Sequence, residues 1–517
     1  MLRFIIYGIF LSVSVTVEAQ DSIAIRFSEM INSENLKKHV EVLASDSLEG
    51  RETGKPGQKK AADYIQNHFK EISLTPVNDT YIQSFPLVKS YPEGVKLNIG
   101  SSDFIFKKDM YYFSAFDGVN ISNNRLIFAG YGINDEKFRS YIDSSNIKGQ
   151  VVMLLEDEPK DRRGNYILTG YKEKSDWGKD SRKKISTLKV HEPSAIIIVL
   201  NDFKESYNKV KHWVEQPVES LELNQTEKPL PVFYISAQAA NNFLYSQKLN
   251  VKKLEKQAKK NNNTLSVINL PVLIDANRIK ETVTGENVYG FIEGKNRKDE
   301  IVVVTAHYDH LGWEDGKIHY GADDNASGTS AIMEIARVFK AASDSGNKPA
   351  RSLLFMAVSG EEKGLFGSEY YVKNPLFPLT SKVANLNVDM IGRIDEKHDH
   401  ENYIYLIGSD RLSTTLHNIS EYANSTYTNI DLDYTFNDTA DPNRFYYRSD
   451  HYNFAKNNIP VIFYFSGVHE DYHKPTDTPD KLSYSKIEKI SKLIFFTAWE
   501  IANYEGEIEV DKQESKR

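Results

Sequence analysis

The sequence contains no cysteine among its 517 residues. This absence excludes disulfide bonds, thiolate ligands for a metal ion, a cysteine nucleophile and lipid attachment to an N-terminal cysteine. An exported protein of this composition must therefore be stabilised by its hydrophobic core and by any metal ion that it binds.

Basic residues are not in excess either. The chain has 64 lysine and arginine residues against 72 aspartate and glutamate residues, which gives a formal net charge of -8. This balance provides neither the basic surface that nucleic-acid binding requires nor a polybasic membrane anchor. We therefore expect no nucleic-acid partner. The composition does not specify an oligomeric state.

Long apolar runs are also scarce, and the sequence has a single one, at residues 4–17. One arginine precedes this run, and Val17-Glu18-Ala19 is a small-x-small pattern that suits cleavage after Ala19. The run is short for a bilayer span of roughly 20 residues. Residues 1–19 are therefore predicted to be a secretory signal peptide, with an uncleaved anchor as the alternative. The mature protein is predicted to be periplasmic or extracellular, without stable membrane insertion.

What is present indicates a globular protein, because 40% of the residues are hydrophobic. Residues 35–43 and 57–69 carry apolar side chains at helical spacing and are predicted to be helices. The charged, glycine-rich link SLEGRETGKPGQ lies between them. From about Leu126, short apolar runs separated by long polar stretches predict a β-rich module.

From Asn287 onward, strand patterns alternate with helical ones. The strand patterns are NVYGFIEG, IVVVTAH, SLLFMAVSG, ANLNVDM, YIYLIG and PVIFYFSG. This alternation predicts an α/β domain with a mostly parallel mixed sheet flanked by helices. The N-terminal helices are expected to pack on this domain, which makes the β-rich module an insertion. The predicted boundaries are a signal peptide at 1–19, N-terminal helices and the first part of the sheet domain at 20–116, an inserted β-rich domain at 117–277, the main sheet domain at 278–506 and a charged tail at 507–517.

Histidine and acidic side chains follow four of these predicted strands, and ligands of open α/β sheets bind at the carboxyl ends of strands. So many acceptor groups in one place require a bound cation. Histidines and carboxylates without sulfur suit zinc, with manganese or cobalt as alternatives. These residues are His307, Asp309 and His310, then Glu361 and Glu362, then Asp389, and finally His469 and His473.

A competing zinc pattern lies at residues 469–473. The segment fits H-E-x-x-H, in which two histidines one helical turn apart bind zinc. That pattern requires a helix, whereas Gly467 precedes the segment and Pro475 follows it. We therefore predict no continuous helix through both histidines. A zinc protease that uses His469 and His473 is kept as an alternative.

Several motifs occur in a fixed order between about residue 287 and residue 482. They are AHYDHLG, YGADDNASG, SGEEKGLFGS, NVDMIGR and YHKPTDTPDKL. In this order they resemble the two-zinc aminopeptidase family, which also includes glutamate carboxypeptidases, the transferrin receptor ectodomain and glutaminyl cyclases. The resemblance implies a zinc exopeptidase-like fold. The insert resembles a protease-associated domain more loosely.

The resemblance also implies roles for individual residues. It implies two zinc ions, one bound by His307, Asp324 and Asp389 and the other by Asp324, Glu362 and His473. Asp324 would bridge the ions, and a shared carboxylate screens the repulsion between two dications roughly 3.5–4 Å apart. Glu361 would be the general base, and Tyr472 would donate to the oxyanion. Independently of the resemblance, Asp309 lies two residues beyond His307 and so on the same side of an extended chain, and it is therefore predicted to orient that imidazole.

The implied function is that of an exported metallo-exopeptidase, an aminopeptidase with peptide substrates, in which a hydroxide between the zinc ions attacks the scissile carbonyl. Four alternatives stay open: a glutaminyl cyclase-like acyltransferase, a carboxypeptidase, the H-E-x-x-H protease and a binding homologue without catalysis. The complete ligand set and Glu361 argue against the last. The sequence assigns no definite role to Asp323, His310, Asp450 and His451.

Overall fold

The computed structural model describes residues 20–113, 118–221, 230–260, 262 and 265–513. The predicted signal peptide lies outside the described residues, and the predicted tail is described as far as residue 513. No helix of the described residues combines the length and the apolar composition that a membrane span requires.

The helices of the described residues are numbered in chain order. They are α1 (Ser22–Ser28), α2 (Ser33–Leu43), α3 (Pro56–Glu71), α4 (Asp176–Lys179), α5 (Ser181–Lys189), α6 (Phe203–Glu215), α7 (Ala237–Leu244), α8 (Val251–Ala258), α9 (Gly328–Asp344), α10 (Phe366–Lys373), α11 (Thr414–Ala423), α12 (His451–Ala455) and α13 (Tyr484–Asn503).

The strands are numbered in the same way. They are β1 (Ile82–Ser90), β2 (Val95–Ile99), β3 (Ser102–Phe104), β4 (Met110–Tyr112), β5 (Val119–Asn123), β6 (Leu126–Phe128), β7 (Val151–Leu155), β8 (Ala195–Leu200), β9 (Val218–Leu221), β10 (Val232–Ser236), β11 (Ser266–Ile268), β12 (Val272–Ala276), β13 (Lys280–Ile292), β14 (Arg297–His307), β15 (Gly312–Glu314), β16 (Lys317–His319), β17 (Arg351–Val358), β18 (Lys382–Val388), β19 (Tyr403–Ile407), β20 (Asp431–Asp433) and β21 (Val461–Phe465).

The chain folds into two compact units. The first comprises the described parts of Met1–Pro86 and Thr284–Arg517, and the second is Leu87–Val283. The second unit is therefore inserted in the sequence of the first. It begins before the predicted boundary at residue 117, because β2 pairs with β12 and β3 pairs with β2.

The first unit contains a mixed sheet with the strand order β20-β19-β21-β18-β14-β17-β13. Strands β21, β18, β14 and β17 are mutually parallel, whereas β13 and β19 pair antiparallel with β17 and β21. Every residue of β17 and of β21 is buried, which explains why these strands read as continuous apolar runs. The predicted α/β fold with a mostly parallel mixed sheet is confirmed.

The N-terminal helices pack on the same core as the sheet. Leu36 of α2 and Phe69 of α3 belong to a buried cluster that also contains Ile332 and Phe339 of α9. The side chain of Asn32 caps α2 by accepting a hydrogen bond from the backbone N–H of Asn35. These helices therefore belong to the unit that carries the predicted ligands.

The second unit contains a six-stranded sheet, β11-β6-β7-β8-β10-β4, and a four-stranded sheet, β3-β2-β12-β5. Strands β6, β7, β8 and β10 are parallel, and helices α4 to α8 lie in the same stretch of chain. The unit is thus a mixture of helices and strands rather than chiefly β, because amphipathic segments such as α6 connect its strands. Its likeness to a protease-associated domain stays a prediction.

Candidate metal centre

The predicted ligands lie at one edge of the first unit's sheet. Because β21, β18, β14 and β17 are consecutive and parallel, their carboxyl ends meet at that edge. His307 is the last residue of β14, Asp389 directly follows β18, and Glu361 and Glu362 follow β17. His473 lies in the loop after β21. The sheet topology therefore brings together residues that are far apart in the sequence.

Asp324 comes from a tight turn, Ala322–Ser327, between β16 and α9. Gly321 precedes this turn with φ 55°, and a Cβ atom at this residue would lie 2.1 Å from the carbonyl oxygen of Asp324, so only glycine fits. The side chain of Asn325 donates to the carbonyl oxygen of Val388 at 2.8 Å and accepts from the N–H of Gly328 at 2.9 Å. These contacts fix the turn against the end of β18.

The first group of candidate ligands is His307, Asp324 and Asp389. Nε2 of His307 lies 3.2 Å from Oδ1 of Asp389 and 3.3 Å from Oδ1 of Asp324. The other carboxylate oxygen of Asp389 accepts a hydrogen bond of 2.7 Å from the hydroxyl of Ser449. All three candidate ligands are buried.

The second group shares Asp324 with the first. Nε2 of His473 lies 3.2 Å from Oδ2 of Asp324 and 3.1 Å from Oε2 of Glu362, yet it forms no hydrogen bond with the described residues. The other oxygen of Glu362 is 2.7 Å from Nδ1 of His310, which is fully buried. His310, which has no definite role in the sequence analysis, therefore fixes the orientation of Glu362.

The donor atoms of these groups fit a metal ion. Two ligand atoms on one tetrahedral zinc, each about 2.0–2.1 Å from it, lie about 3.3 Å apart, close to the separations between histidine nitrogens and carboxylate oxygens here. Ligand atoms of His307, Asp324 and Asp389 lie within 4.8 Å of one another. His310 also comes within this distance of Asp324 and Glu362, but its Nδ1 is 3.8 Å from Asp324, whereas Nε2 of His473 is 3.2 Å from the same oxygen. With nitrogen and oxygen donors alone, the set suits zinc.

The electrostatics of the cluster agree with a cation site. Burial by itself would lower the pKa of His307, but the carboxylates of Asp389 and Glu361 raise it well above its usual value. Burial by itself would raise the pKa of Asp324, but His307 and His473 lower it well below its usual value. The first shift means that the surrounding carboxylates stabilise positive charge, and the second means that Asp324 stays ionised beside the histidines.

Glu361 lies beside this cluster and differs from its neighbours. Its side chain lines the same cavity as Asp324, Glu362 and Asp389. The described residues provide no hydrogen-bond or ion-pair partner for its carboxylate. Burial, reinforced by the charges of Glu362 and Asp389, raises the pKa of Glu361 well above its usual value despite the opposing effect of His307.

Asp309 contacts His307 in a different way from the one predicted. Its carboxylate lies 3.7 Å from Nδ1 of His307, whereas its backbone carbonyl oxygen lies 3.2 Å away. The carboxylate instead accepts hydrogen bonds from the hydroxyl of Thr53 at 2.9 Å and from the N–H of Glu361 at 3.3 Å. The chain turns after β14, so the predicted contact from the carboxylate is made by the carbonyl.

Tyr472 lines the cavity with the candidate ligands. Its ring stacks on the imidazole of His473 with 3.8 Å between the ring centroids. Burial, followed by the charges of Asp324 and Glu362, raises the pKa of Tyr472, so its hydroxyl keeps the proton that a donor to an oxyanion needs.

The H-E-x-x-H alternative is wrong. Residues 466–478 contain no helix, and His473 has a left-handed backbone with φ 56°. Nε2 of His469 lies 3.3 Å from Oδ2 of Asp323, whereas His473 contacts Asp324 and Glu362. The two histidines therefore face different carboxylates.

Arg51 supports the centre from the link between α2 and α3. It is fully buried and donates to the carbonyl oxygens of Tyr308 at 2.7 Å, Tyr320 at 2.7 Å and Gly321 at 2.8 Å. Burial lowers its pKa to about 10. Sequence reasoning missed this residue because a charged, glycine-rich link is normally a solvated loop.

Asp450 and His451 lie behind the centre. Asp450 is buried and accepts a hydrogen bond from the hydroxyl of Ser368. His451 is buried between aromatic rings, 4.7 Å from that of Phe463 and 5.5 Å from that of Tyr446. Neither residue is among the candidate ligands.

Comparison with known families places the centre in context. The model for Peptidase family M28 matches residues 287–498, which contain all the candidate ligands. The match covers less than half of the chain, and we name residues 287–498 the M28 domain after it. The predicted resemblance to the two-zinc aminopeptidase family is thereby confirmed.

Individual relatives of the M28 domain are similar over part of their length. Aminopeptidase YwaD of Bacillus subtilis (strain 168) is 29% identical over 241 residues, which cover 45% of this chain and 48% of that protein. A probable zinc metalloprotease of Pyrenophora tritici-repentis (strain Pt-1C-BFP) is 34% identical over 145 residues, covering 27% of this chain and 29% of that protein. The chain thus spans about half or less of the length of these relatives.

The fold has a solved counterpart. An aminopeptidase from Aneurinibacillus sp. strain AM-1 superimposes with a TM-score of 0.51 at 18% identity, covering 95% of this chain and 98% of that one. At this identity the likeness shows the fold alone.

Proposed function

We propose that the M28 domain is a zinc-dependent aminopeptidase that removes N-terminal residues from peptides. The observation that carries this proposal is that two groups of candidate ligands share Asp324, and beside them lies Glu361, whose carboxylate has no partner among the described residues. The names of the relatives support it, since one is an aminopeptidase and another a probable zinc metalloprotease.

Two zinc ions per chain are part of the proposal. The proposed ligands are His307, Asp324 and Asp389 for one ion and Asp324, Glu362 and His473 for the other. His310 would hold Glu362 in its orientation, and Ser449 would do the same for Asp389. When bound, zinc supplies Lewis acidity that polarises a scissile carbonyl and lowers the pKa of water.

In the proposed reaction, Glu361 moves the proton. Its carboxylate takes a proton from the attacking water and delivers it to the leaving amine nitrogen as the C–N bond breaks. Because no described residue forms a hydrogen bond or an ion pair with this carboxylate, both of its oxygens are available for the transfer. The hydroxyl of Tyr472 donates a hydrogen bond to the carbonyl oxygen of the substrate as that oxygen gains negative charge.

The substitution Glu361→Gln tests this assignment. We expect kcat to fall by about 10²–10⁴, the contribution of a positioned acid–base group, while two zinc ions stay bound per chain. Glu369→Gln is the matched control, because Glu369 lies on the nearby α10 and pairs with Lys373 at 2.6 Å. It should change neither zinc content nor activity.

Two outcomes would contradict the proposal. One is a fully active Glu361→Gln variant, and the other is hydrolysis of N-acetylated peptides as fast as free ones, since an aminopeptidase requires a free amino group. Peptides with N-terminal glutamine should be assayed in parallel. A cyclised product together with one zinc ion per chain would favour a glutaminyl cyclase.

We also propose that the protein is exported. The support is the pattern of residues 1–19, an apolar run followed by a small-x-small sequence. N-terminal sequencing of the mature protein should give Gln20 as its first residue. A mature protein that retains Met1 would contradict a cleaved signal peptide.

A further inference from the structure

The cavity beside the candidate ligands is lined by acidic residues and by one basic residue. Its lining includes the carboxylates already described and several apolar side chains, among them Phe445, Phe463, Phe465 and Val468. Arg448 is the only basic residue among the described residues that line it. A single guanidinium on an otherwise apolar and acidic wall is not needed by any step of the proposed reaction.

Arg448 is held in place without being neutralised. Its guanidinium carbon lies 4.8 Å from the centre of the Phe445 ring, and its Nη2 lies 3.5 Å from the hydroxyl of Tyr472. The residue is exposed, and it forms no ion pair with the described residues. The aromatic ring therefore positions the cation while most of its N–H donors stay available.

Arg448 is also close to the candidate metal ligands. It contacts Tyr472, whose ring stacks on His473, and His473 lies 3.1 Å from Glu362. A group bound to this guanidinium would therefore lie in the same cavity as the candidate metal ligands. An arginine offers two parallel N–H donors, a geometry that matches a carboxylate.

We propose that Arg448 binds a carboxylate of the peptide substrate, so that this enzyme prefers substrates with a negative charge close to the scissile bond. This inference rests on the proposed peptidase function. The carboxylate has two possible sources: the C-terminus of a short peptide or an acidic side chain.

Matched substrates separate the two sources. Leu-Phe is compared with Leu-Phe-amide for the terminal carboxylate, and Leu-Glu-amide with Leu-Gln-amide for the side chain. In one of these pairs, kcat/KM should be about tenfold higher for the charged member, a value between those of exposed and desolvated ion pairs. Arg448→Gln should make kcat/KM equal for the two members of that pair. Arg448→Lys should retain part of the preference, since lysine keeps the positive charge but lacks the two parallel N–H donors of arginine.

Arg444→Gln is the matched control. Arg444 is also exposed and lies over an aromatic ring, 4.9 Å from that of Tyr447, but it does not line the cavity. Its substitution should leave the ratio unchanged. Equal kcat/KM within both pairs for the unmodified enzyme would overturn the inference. An equal loss of kcat/KM for charged and neutral substrates in Arg448→Gln would also overturn the inference, because Arg448 would then act only by positioning Tyr472.

A binding measurement keeps this test independent of catalysis. The same four peptides are titrated calorimetrically into zinc-loaded Glu361→Gln protein, with and without Arg448→Gln. In the Glu361→Gln protein, the charged peptide of the preferred pair should have the lower Kd. When Arg448→Gln is added, the two Kd values of that pair should become equal. If the unmodified protein hydrolysed none of the peptides, the proposed function would fail, whereas these Kd ratios would still decide the role of Arg448.

Discussion

The substitution Ser449→Ala isolates the support of a single candidate ligand. The hydroxyl of Ser449 donates to Oδ2 of Asp389 at 2.7 Å and accepts from Nδ2 of Asn387 at 2.8 Å. All three residues are buried. Alanine removes both hydrogen bonds without changing any of the proposed zinc ligands.

The size of the effect follows from these two contacts. Loss of an orienting partner typically weakens metal binding 10- to 100-fold, which corresponds to about 1.4–2.7 kcal/mol. Separately, the amide of Asn387 loses its acceptor inside the protein, which costs about 1–3 kcal/mol of folding free energy. We therefore expect Ser449→Ala to need more zinc for loading and to be less stable when zinc-free.

Zinc binding is measured in buffers of defined free zinc, with bound metal and peptide hydrolysis followed together. Half-loading of one ion should move to 10- to 100-fold higher free zinc, and activity should recover at saturation. Ser466→Ala is the control, because Ser466 is buried in the same unit and its hydroxyl has no hydrogen-bond partner among the described residues. Equal zinc affinity in the two variants would refute the role of Ser449.

Further predictions concern the turn, the loop histidines and acid stability. Gly321→Ala should lower both zinc content and Tm, because its Cβ would clash with the turn, whereas Gly316→Ala should cost only about 1–2 kcal/mol, since Gly316 has φ 74° and open space around it. His473→Gln should lose zinc, whereas His469→Gln should keep it, and metal analysis of both variants checks this. Burial by itself would raise the pKa of Glu334, but neighbouring histidine and arginine side chains lower it to about 2. Its stabilising contribution is therefore complete above pH ~4.3 and lost as the pH falls toward 2, so acid unfolding of Glu334→Gln should depend less on pH in this window. Removing zinc with a chelator should abolish hydrolysis and lower Tm, and restored zinc should reverse both.

Sheet topology explains why the ligand positions could be predicted from the sequence. Once β14, β17, β18 and β21 are recognised as parallel strands, their carboxyl ends must meet. His307, Asp389 and Glu362 then lie together regardless of the loops between them. The family resemblance added Asp324, which lies in a turn and has no such geometric signal. It also selected His473 rather than His469 from the loop after β21.

Contacts made by turns could not be predicted in the same way. His310 reaches Glu362, and the carbonyl of Asp309 reaches His307, only because the chain turns after β14. An extended chain would have placed the carboxylate of Asp309 there instead. The start of the second unit at Leu87 also depends on a distant partner, since β2 pairs with β12.

The adjacent aspartates at the start of α9 are explained by the loop after β21. Oδ1 of Asp323 accepts a hydrogen bond of 2.6 Å from the N–H of Gly392, and its Oδ2 faces His469. Asp324 instead faces His473. Burial by itself would lower the pKa of His469, but Asp323 raises it, so this histidine is the partner of the aspartate that is not a candidate ligand. The spacing of the two histidines therefore matches two neighbouring carboxylates that point in different directions, which accounts for an H-E-x-x-H pattern without a helix.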